Sequence, residues 1–464
     1  MSVPYWVQDA VFYQIFPDRF NNGDVLNDPA NVQHWGTPPS VTGFQGGDLR
    51  GIIQKLDYLL DLGVTALYLN PIFLATSNHR YNTTDYLRID PKLGDQRDLS
   101  TLLDAAHRNN LRVLLDGVFN HCGRGFFAFN DVLENQDKSP YRDWFHINKF
   151  PVDAYSPGPA VDYIGWWKHK SLPKFNTNSP AVRRFLLEVA RYWVQLGIDG
   201  WRLDVPNEID DDSFWAEFRY TVKSTNPEAY LVGEIWEDLP RWVGDGHFDG
   251  LMNYPFRTAV IGYLTRALTA SNFVAKIERL LRIYPRENVY AMYVPLGSHD
   301  TERIATMLGN DPAKIKMAFS LLFSYPGAPA IYYGDEVGLE GGKDPECRGA
   351  FPWEQSQWKQ DLRMHIQKLA AFRKRFPALR RGSFQKILTD DARGISVFMR
   401  GLGEEKIVAV YNASATRRTL HLPTATIGWP DGRITRDLLS PGEYIVAGDV
   451  ANISLEPWSG QWLV

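Results

Sequence analysis

Short apolar runs alternate with longer amphipathic stretches along the first three quarters of the chain. This alternation is typical of buried parallel strands that are joined by crossover helices. It predicts helices over residues 49–62 and 180–196, the second with an apolar stripe at Val182, Leu186 and Val189. It also predicts eight strands, over residues 11–16, 64–70, 112–118, 200–204, 230–235, 250–253, 289–296 and 330–334.

Eight strands of this kind close a barrel, and their spacing shows where additional domains begin. They extend from Val11 to Gly334, which is further than the ~250 residues typical of an eightfold barrel. The surplus follows strand 3, where residues 122–175 are rich in Asn, Asp, Pro and aromatic residues and lack a clear period. Short alternating runs separated by turns follow residue 381. The prediction is an α/β fold: a (β/α)8 TIM barrel at 1–121 and 176–380, an inserted loop-rich domain B at 122–175, and a C-terminal antiparallel β-sandwich at 381–464.

Composition and charge exclude several classes of protein. Apolar residues make up 44% of the chain, charged residues 22%, and the net charge is -4, so neither disorder nor nucleic-acid binding is expected. The longest uncharged stretch, residues 317–333, is short and contains Pro326 and Pro329, which indicates no membrane span. Two cysteines, Cys122 and Cys347, and an N-terminus without a charged-then-apolar leader favour a reducing, cytoplasmic location.

Three carboxylates stand at or just after predicted strand ends. Asp204 ends strand four, Glu234 ends strand five and Asp300 follows strand seven, so they converge on one face of the barrel. A protonated and an ionised carboxyl on opposite sides of a glycosidic bond can cleave it. Arg202, on the same side of its strand as Asp204, is expected to keep Asp204 ionised as a nucleophile. Neighbouring carboxylates would raise the pKa of Glu234, which suits a proton donor; helix caps or salt bridges are the structural alternative.

Four short segments resemble, in order, the four conserved regions of the α-amylase family of glycoside hydrolases: DGVFNH at 116–121, GWRLD at 200–204, EIW at 234–236 and HD at 299–300. Segments 46–49 and 327–336 resemble two secondary regions of that family. The resemblance implies that Asp204 is the nucleophile, that Glu234 is the general acid/base, and that Asp300 grips and distorts the sugar.

The resemblance also implies a set of substrate-binding residues. Tyr81 would stack under the reacting glucose, His121 and His299 would hydrogen-bond its hydroxyls, and the pair Asp344 and Arg348 would bind the next sugar on the non-reducing side. Taken by itself, that pair is equally well interpreted as a surface ion pair. The complete implied set is Tyr81, His121, Arg202, Glu208, Trp236, His299, Asp344 and Arg348.

Within the family, LPKFN at 172–176 and DVPNE at 204–208 are similar to signatures of the cyclomaltodextrinase, neopullulanase and maltogenic amylase branch. That similarity implies α-1,4-glucan substrates, namely maltooligosaccharides, cyclodextrins or starch, with some transglycosylation. Pro206 departs from the pattern, in which a small residue is expected. The chain also begins almost at strand one, whereas this branch carries an additional N-terminal β domain that pairs subunits and narrows the cleft.

Several alternatives follow from that departure. The protein is expected to be a monomer or a homodimer, and a plain intracellular α-amylase without cyclodextrin preference stays open. An α-glucan transferase or isomerase on the same scaffold is a second possibility. A non-catalytic binding relative is a third, although this chain has all three carboxylates.

Oxygen-bearing side chains crowd one segment near the N-terminus, residues 22–28. Such oxygens could bind a hard cation, and the pattern resembles the calcium site of the same branch, although an Asn/Asp/Gly cluster also occurs in simple turns. The ligands expected for a structural Ca²⁺ are Asn22, Asp24, Asn27, Asp28, Gly46 and Asp48.

Overall fold

Eight parallel strands form one closed sheet in the computed structural model, which describes residues 2–464. Numbered along the chain, they pair in the order 6, 5, 4, 3, 2, 1, 8, 7. A parallel bridge between Met252 and Tyr293 joins the sixth strand to the seventh, so the predicted TIM barrel is confirmed. The strands are Phe12–Ile15, Ala66–Leu69, Arg112–Gly117, Gly200–Leu203, Tyr230–Gly233, Gly250–Leu251, Tyr293–Pro295 and Ala328–Tyr332.

Two of the predicted strands are shorter than expected because helices begin or end beside them. Val289, predicted to open the seventh strand, ends a short helix, and the strand begins at Tyr293. The sixth strand is only Gly250–Leu251, because Asn253 caps the next helix by accepting the N–H of Phe256.

Polar side chains fix where several barrel helices begin. Asp95 forms a capping box with Asp98, and Asp211 accepts the N–H of Phe214. The helix predicted over 49–62 is divided in two at Lys55. The α-helices are Pro17–Phe20, Leu49–Gln54, Leu56–Leu62, Gln96–Arg108, Phe127–Asn135, Pro180–Gln195, Asp212–Thr225, Tyr254–Leu264, Ala270–Ile283, Arg286–Val289, Ile304–Met307, Pro312–Ser324, Gln360–Arg375 and Pro377–Arg381.

In the helix Pro180–Gln195, the apolar residues that repeat with the helical period pack against the barrel. Its residues Val182, Leu186 and Val189 are all buried, as the stripe predicts. Trp193 continues the stripe, and its indole N–H donates to the Tyr86 carbonyl at 2.8 Å. One face of the helix therefore covers the barrel core and the other meets solvent.

A loop-rich segment separates the third strand from the helix Pro180–Gln195. It contains one α-helix, Phe127–Asn135, and several isolated antiparallel bridges, including His121 with Lys174. Aromatic rings form its core, with Phe145 in contact with both Phe129 and Phe175. A short hairpin, Phe73–Ala75 with Thr83–Ile89, lies beside it, and Gly123 N–H donates to the Thr83 carbonyl at 2.7 Å. The segment is thereby fixed at the C-terminal rim of the barrel.

The chain ends in two antiparallel sheets of four strands each, which confirms the predicted β-sandwich. A buried apolar cluster that includes Val397, Val410, Leu422 and Ile453 lies between them. The first sheet contains Ser383–Asp390, Ile395–Leu402, Glu405–Asn412 and Ser459–Leu463, and the second contains Arg418–Pro423, Val450–Leu455, Glu443–Ala447 and Ile434–Arg436.

A buried arginine of the sandwich binds the barrel, and a buried arginine of the barrel shares one of its acceptors. Arg400, on a sandwich strand, donates through Nη1 to the carbonyls of Ser324 and Leu379, each at 2.9 Å. Arg373, on the preceding helix, donates to the Leu379 and Gly327 carbonyls at 3.1 and 2.8 Å. The junction is therefore held by charge-assisted bonds to main-chain oxygens.

No helix within residues 2–464 combines the length and the apolar character needed to cross a bilayer.

Replacing Arg400 with methionine is expected to lower the free energy of unfolding by about 2–4 kcal/mol, because buried carbonyl oxygens lose their donor. Urea denaturation followed by tryptophan fluorescence measures the loss. Arg393→Met, at a half-exposed arginine 3.6 Å from Asp390, is the control and is expected to change stability by less than about 0.5 kcal/mol. Equal midpoints for the two variants would show that the junction bonds do not contribute.

Candidate active site

The parallel ladder places two carboxylates side by side at the C-terminal end of the barrel. Asp204 N–H donates to the Gly117 carbonyl at 3.0 Å, and Glu234 N–H donates to the Leu203 carbonyl at 2.9 Å. Each residue thus extends its strand by one ladder bond. Asp300 stands in the turn after the seventh strand, and all three carboxylates predicted from the sequence share one electrostatic environment.

A single guanidinium connects the carboxylates. Arg202, only 1% exposed, places Nη1 2.7 Å from Asp116 Oδ1 and 3.0 Å from Asp204 Oδ1. Its Nη2 lies 2.9 Å from Glu234 Oε1, a close ion pair that is not aligned as a hydrogen bond. The predicted contact between Arg202 and Asp204 is present, and the same arginine also contacts Asp116 and Glu234.

Burial dominates the acidity of the reacting carboxyls. It raises the pKa of Glu234 to about 7, with Arg202 opposing and the charge of Asp300 adding to the effect. Burial also raises the pKa of Asp204 well above its usual value; Arg202 opposes this, and Glu234 and Asp116 add to it. Arg202 thus lowers the pKa of Asp204, in the direction that the sequence predicts, but burial is the larger effect. The pKa of Glu234 is raised as predicted, with burial contributing more than the neighbouring carboxylates.

Asp300 lies in a more strongly positive environment. Burial by itself would raise its pKa, but His299 and Arg348 outweigh burial and hold the pKa of Asp300 below its usual value. His299 Nε2 is 3.0 Å from Asp300 Oδ2, and Arg348 Nη2 is 3.2 Å from Asp300 Oδ1. Arg348 also pairs with Asp344 at 3.1 Å. Asp344 and Arg348 are therefore not an isolated surface ion pair, since Arg348 links Asp344 to Asp300.

Aromatic rings and imidazoles border the carboxylates. The Tyr81 ring is parallel to His299, with ring centroids 5.3 Å apart, and its hydroxyl donates to Asp116 Oδ2 at 2.8 Å. His121 stacks on Trp166 at 5.4 Å. Burial lowers the pKa of His121 to about 3, and its Nε2 is buried without a protein partner in residues 2–464. A neutral imidazole with a free ring nitrogen can hydrogen-bond a sugar hydroxyl.

Trp236 borders the site, whereas Glu208 lines a cavity that contains none of the three carboxylates. Trp236 stacks on Tyr254 at 4.0 Å and is 43% exposed, so one indole face is open to a ligand. Glu208 is half-buried and lines a cavity of about 510 Å³, where its carbonyl accepts from Lys174 Nζ at 2.6 Å. Val205, between Asp204 and Pro206, has φ +35°, a strained conformation for a β-branched residue.

Sequence reasoning missed four side chains that support this site. Tyr68 donates to Asp116 Oδ2 at 2.6 Å, Asn70 donates to the Tyr81 hydroxyl at 3.0 Å, and Gln14 reaches His299 at 2.9 Å. Asp116 could have been found, because it stands at a strand end inside a recognised motif. Asn70 could have been found in the same way, because it ends the predicted second strand. Tyr68 and Gln14 lie within apolar strand runs, where nothing in the pattern marks them.

Most of the predicted calcium ligands crowd one small region. Asn22 Nδ2 donates to both Asp28 oxygens, at 2.9 and 3.1 Å. Gly46 has φ +84°, and a Cβ there would lie 2.2 Å from Asp28 Oδ1, so its backbone packs directly against that carboxylate. Asp48 accepts the Gly51 N–H at 2.6 Å and an Asn27 amide hydrogen at 3.1 Å.

The residues of this region fit a hard cation, except for Asp24 and for Asp48, whose two carboxylate oxygens already accept N–H groups. The amide oxygens of Asn22 and Asn27 are buried without a protein partner in the described chain, which leaves two oxygen ligands available beside Asp28. Asp24 instead directs its carboxylate to Arg50 at 2.6 Å and to the Leu26 N–H. Within residues 2–464 there is no metal-binding group of three or more His, Cys, Asp or Glu side chains, so amide and main-chain oxygens would supply much of such a site.

Buried carboxylates that converge at the C-terminal end of a (β/α)8 barrel, one of them with a raised pKa, fit the acid/base and nucleophile roles of a glycoside hydrolase. The alpha-amylase catalytic-domain model matches residues 14–384. The chain therefore belongs to the α-amylase family, as its sequence motifs predict.

Similar proteins of known name share this family. The chain is 42% identical over 460 residues to a cyclomaltodextrinase from Geobacillus thermopakistaniensis, covering 98% of this chain and 77% of that one. It is 40% identical to neopullulanase 2 of Thermoactinomyces vulgaris, covering 100% and 78%. The structure of a cyclic alpha-maltosyl-(1→6)-maltose hydrolase from Arthrobacter globiformis superimposes with a TM-score of 0.91 at 40% identity and covers 100% of both chains.

The raised pKa of Glu234 leads to a prediction for the pH dependence of hydrolysis. A general acid must be protonated, so kcat/KM is expected to fall as pH rises through about 7 and to approach a tenfold loss per pH unit above it. Initial rates on a maltooligosaccharide between about pH 5 and about pH 9 measure this decline.

Glu234→Gln provides the matching test. This variant is expected to lose most of its hydrolysis of maltooligosaccharides, and its remaining kcat/KM should no longer fall at alkaline pH. It should keep relatively more activity on an aryl maltoside, because that leaving group needs no proton. A wild-type profile that stays flat across the alkaline range would contradict the assignment of Glu234 as the acid.

Proposed function

We propose that this protein is a retaining hydrolase of α-1,4-glucosidic bonds in maltooligosaccharides, cyclodextrins or starch. The observation that carries the proposal is the Arg202 guanidinium, which contacts Asp204 and Glu234 together at the barrel mouth. The names of the similar enzymes support the substrate class, since they include a cyclomaltodextrinase and a neopullulanase.

In the first step, the Asp204 carboxylate attacks the anomeric carbon while Glu234 gives its proton to the leaving glycosidic oxygen. Burial raises the pKa of both Asp204 and Glu234, which favours one shared proton on the pair. Arg202 contacts Asp204 through an aligned hydrogen bond of 3.0 Å, whereas its approach to Glu234 is not aligned. The better-aligned bond favours the anionic form at Asp204, so the proton belongs on Glu234.

In the second step, Glu234 takes a proton from water, which attacks the glucosyl ester and releases Asp204. Asp300 stays ionised beside His299 and Arg348 and can accept hydrogen bonds from the sugar hydroxyls. Such bonds strengthen as the ring distorts toward the transition state. Asp300 therefore acts on the sugar, while Asp204 and Glu234 carry out bond exchange.

A sugar hydroxyl can replace water in the second step and give transglycosylation. The open face of Trp236 supports an acceptor sugar in this position. A dedicated transferase on the same scaffold is the alternative, and it would break bonds without a matching release of reducing ends.

Initial rates on β-cyclodextrin, soluble starch and maltooligosaccharides at equal glucose content test the proposed substrates. Faster release from cyclodextrin would place the enzyme with the cyclomaltodextrinases, and faster release from starch would place it with plain α-amylases. Bond cleavage without new reducing ends would favour the transferase. No cleavage of any of these substrates would contradict the proposal.

Asp204→Asn is expected to lower kcat roughly 10³-fold or more, because an amide cannot form the glycosyl ester. Reducing-end release measures the loss, and circular dichroism with the melting temperature shows that folding is preserved. The control is Asp245→Asn, at an exposed acid, which is expected to keep the native rate. Near-native activity in Asp204→Asn would remove Asp204 as the nucleophile.

We further propose a structural calcium ion held by Asn22, Asn27 and Asp28 with the Gly46 carbonyl. Asp48 would support the loop, and Asp24 would contribute through its main chain, since its carboxylate pairs with Arg50. The ion would neutralise Asp28 and fix the connection after the first strand. Its role is structural, and no step of the reaction passes through it.

Calcium is expected to stabilise the fold by about 2.7 kcal/mol at a hundredfold excess over its Kd. The measurement is the melting temperature in chelator and after calcium is restored, which should differ by several degrees. Asp28→Asn should abolish that difference, whereas Asp245→Asn should retain it. Identical melting temperatures for the wild type in both buffers would contradict the site.

We also propose a cytoplasmic location, supported by two cysteines, Cys122 and Cys347, that are both free and buried.

A further inference from the structure

Gln14 on the first barrel strand reaches the site from behind the sugar-binding side chains. It is fully buried, and its amide nitrogen lies 2.9 Å from His299 Nδ1 and 3.0 Å from Asn70 Oδ1. Its own amide oxygen has no protein partner in residues 2–464. The side chain therefore makes its contacts as a donor, and one of these contacts is to the imidazole beside Asp300.

These residues form a closed ring of hydrogen bonds. Asn70 Nδ2 donates to the Tyr81 hydroxyl at 3.0 Å, and that hydroxyl lies 2.6 Å from His299 Nε2. Tyr81 has a single hydroxyl hydrogen, which it donates to Asp116 at 2.8 Å. Toward Asn70 and His299 the Tyr81 oxygen can therefore only accept, so His299 Nε2 must carry a hydrogen.

Asp300 favours the same assignment. Its Oδ2 is 3.0 Å from His299 Nε2, a close approach in which an N–H is attracted to the carboxylate and a nitrogen lone pair would be repelled. Burial lowers the pKa of His299, so the ring is neutral and its hydrogen is on Nε2. His299 Nδ1 then presents a lone pair, and the Gln14 amide is the donor that meets it.

We propose that Gln14 is a positioning residue that fixes His299 as the neutral Nε2–H tautomer and thereby holds Asp300 in its working orientation. The opposite tautomer would place the Nε2 lone pair 3.0 Å from a carboxylate oxygen and repel it. Arg348 holds the other oxygen of Asp300, so the carboxylate would rotate about that contact. The effect on catalysis rests on the proposed hydrolase function, whereas the tautomer does not.

Histidine-selective ¹⁵N and ¹³C NMR of the whole protein reports the tautomer directly. The expected wild-type signal, assigned by its loss in His299→Asn, is a neutral imidazole with its hydrogen on Nε2 at neutral pH. In Gln14→Glu a carboxylate that can only accept faces Nδ1, so the signal is expected to move to an Nδ1–H tautomer or to imidazolium. In Gln14→Met the donor is absent, and the signal is expected to become a mixture of tautomers.

Kinetics provide the second readout. Both variants are expected to lower kcat on maltooligosaccharides about tenfold with a smaller change in KM, because the contacts of Asp300 strengthen in the transition state. Gln45→Met is the matched control: Gln45 is equally buried, donates to the Thr37 carbonyl and accepts the Gly36 N–H. It is expected to leave the His299 signal and kcat unchanged.

A wild-type His299 found as imidazolium or with its hydrogen on Nδ1 would overturn the proposal. So would a Gln14→Met variant whose His299 signal and kcat match those of Gln45→Met. If Gln14→Glu does not fold, the wild-type spectrum and the Gln14→Met variant still test the proposal. If the protein hydrolyses no α-glucan, the proposed function fails while the tautomer can still be read from the spectrum.

Discussion

The buried Arg202 guanidinium is the contact on which the rest of the site depends. It stands on the fourth strand and binds carboxylates from the third strand and from the ends of the fourth and fifth. Leaving such a charge unpaired inside a protein costs several kcal/mol. The strand register that places Asp116 directly beside Arg202 therefore supplies the buried guanidinium with a counter-ion.

Two arginines divide the site into two electrostatic regions. Around Arg202 the carboxylates outnumber the cation, and burial raises the pKa of both Asp204 and Glu234. At Asp300 the outcome is the opposite, since the Arg348 guanidinium and the contact with His299 lower its pKa. Proton transfer and sugar distortion need these opposite conditions, and adjacent loops of one barrel provide both.

The strands and the carboxylates could be predicted because each is marked by residues that are neighbours in the sequence. Buried parallel strands are apolar runs, and Asp204 and Glu234 terminate two of them inside recognisable motifs. What could not be predicted depends on partners distant in the chain. Gln14 donates to a residue 285 positions away, and the orientation of the Asp24 carboxylate depends on Arg50. Burial, which decides the acidity of Asp204, is likewise a property of the whole fold.

The carbonyl-binding arginines between barrel and sandwich have a consequence for cooperativity. Arg400 and Arg373 both donate to the Leu379 carbonyl, so one peptide group couples a sandwich strand to a barrel helix. Separating the two would expose main-chain oxygens and leave Nη1 of Arg400 without its two acceptors. The sandwich is thus bound to the catalytic half as part of one unfolding unit, and heat or denaturant is expected to remove both in a single transition.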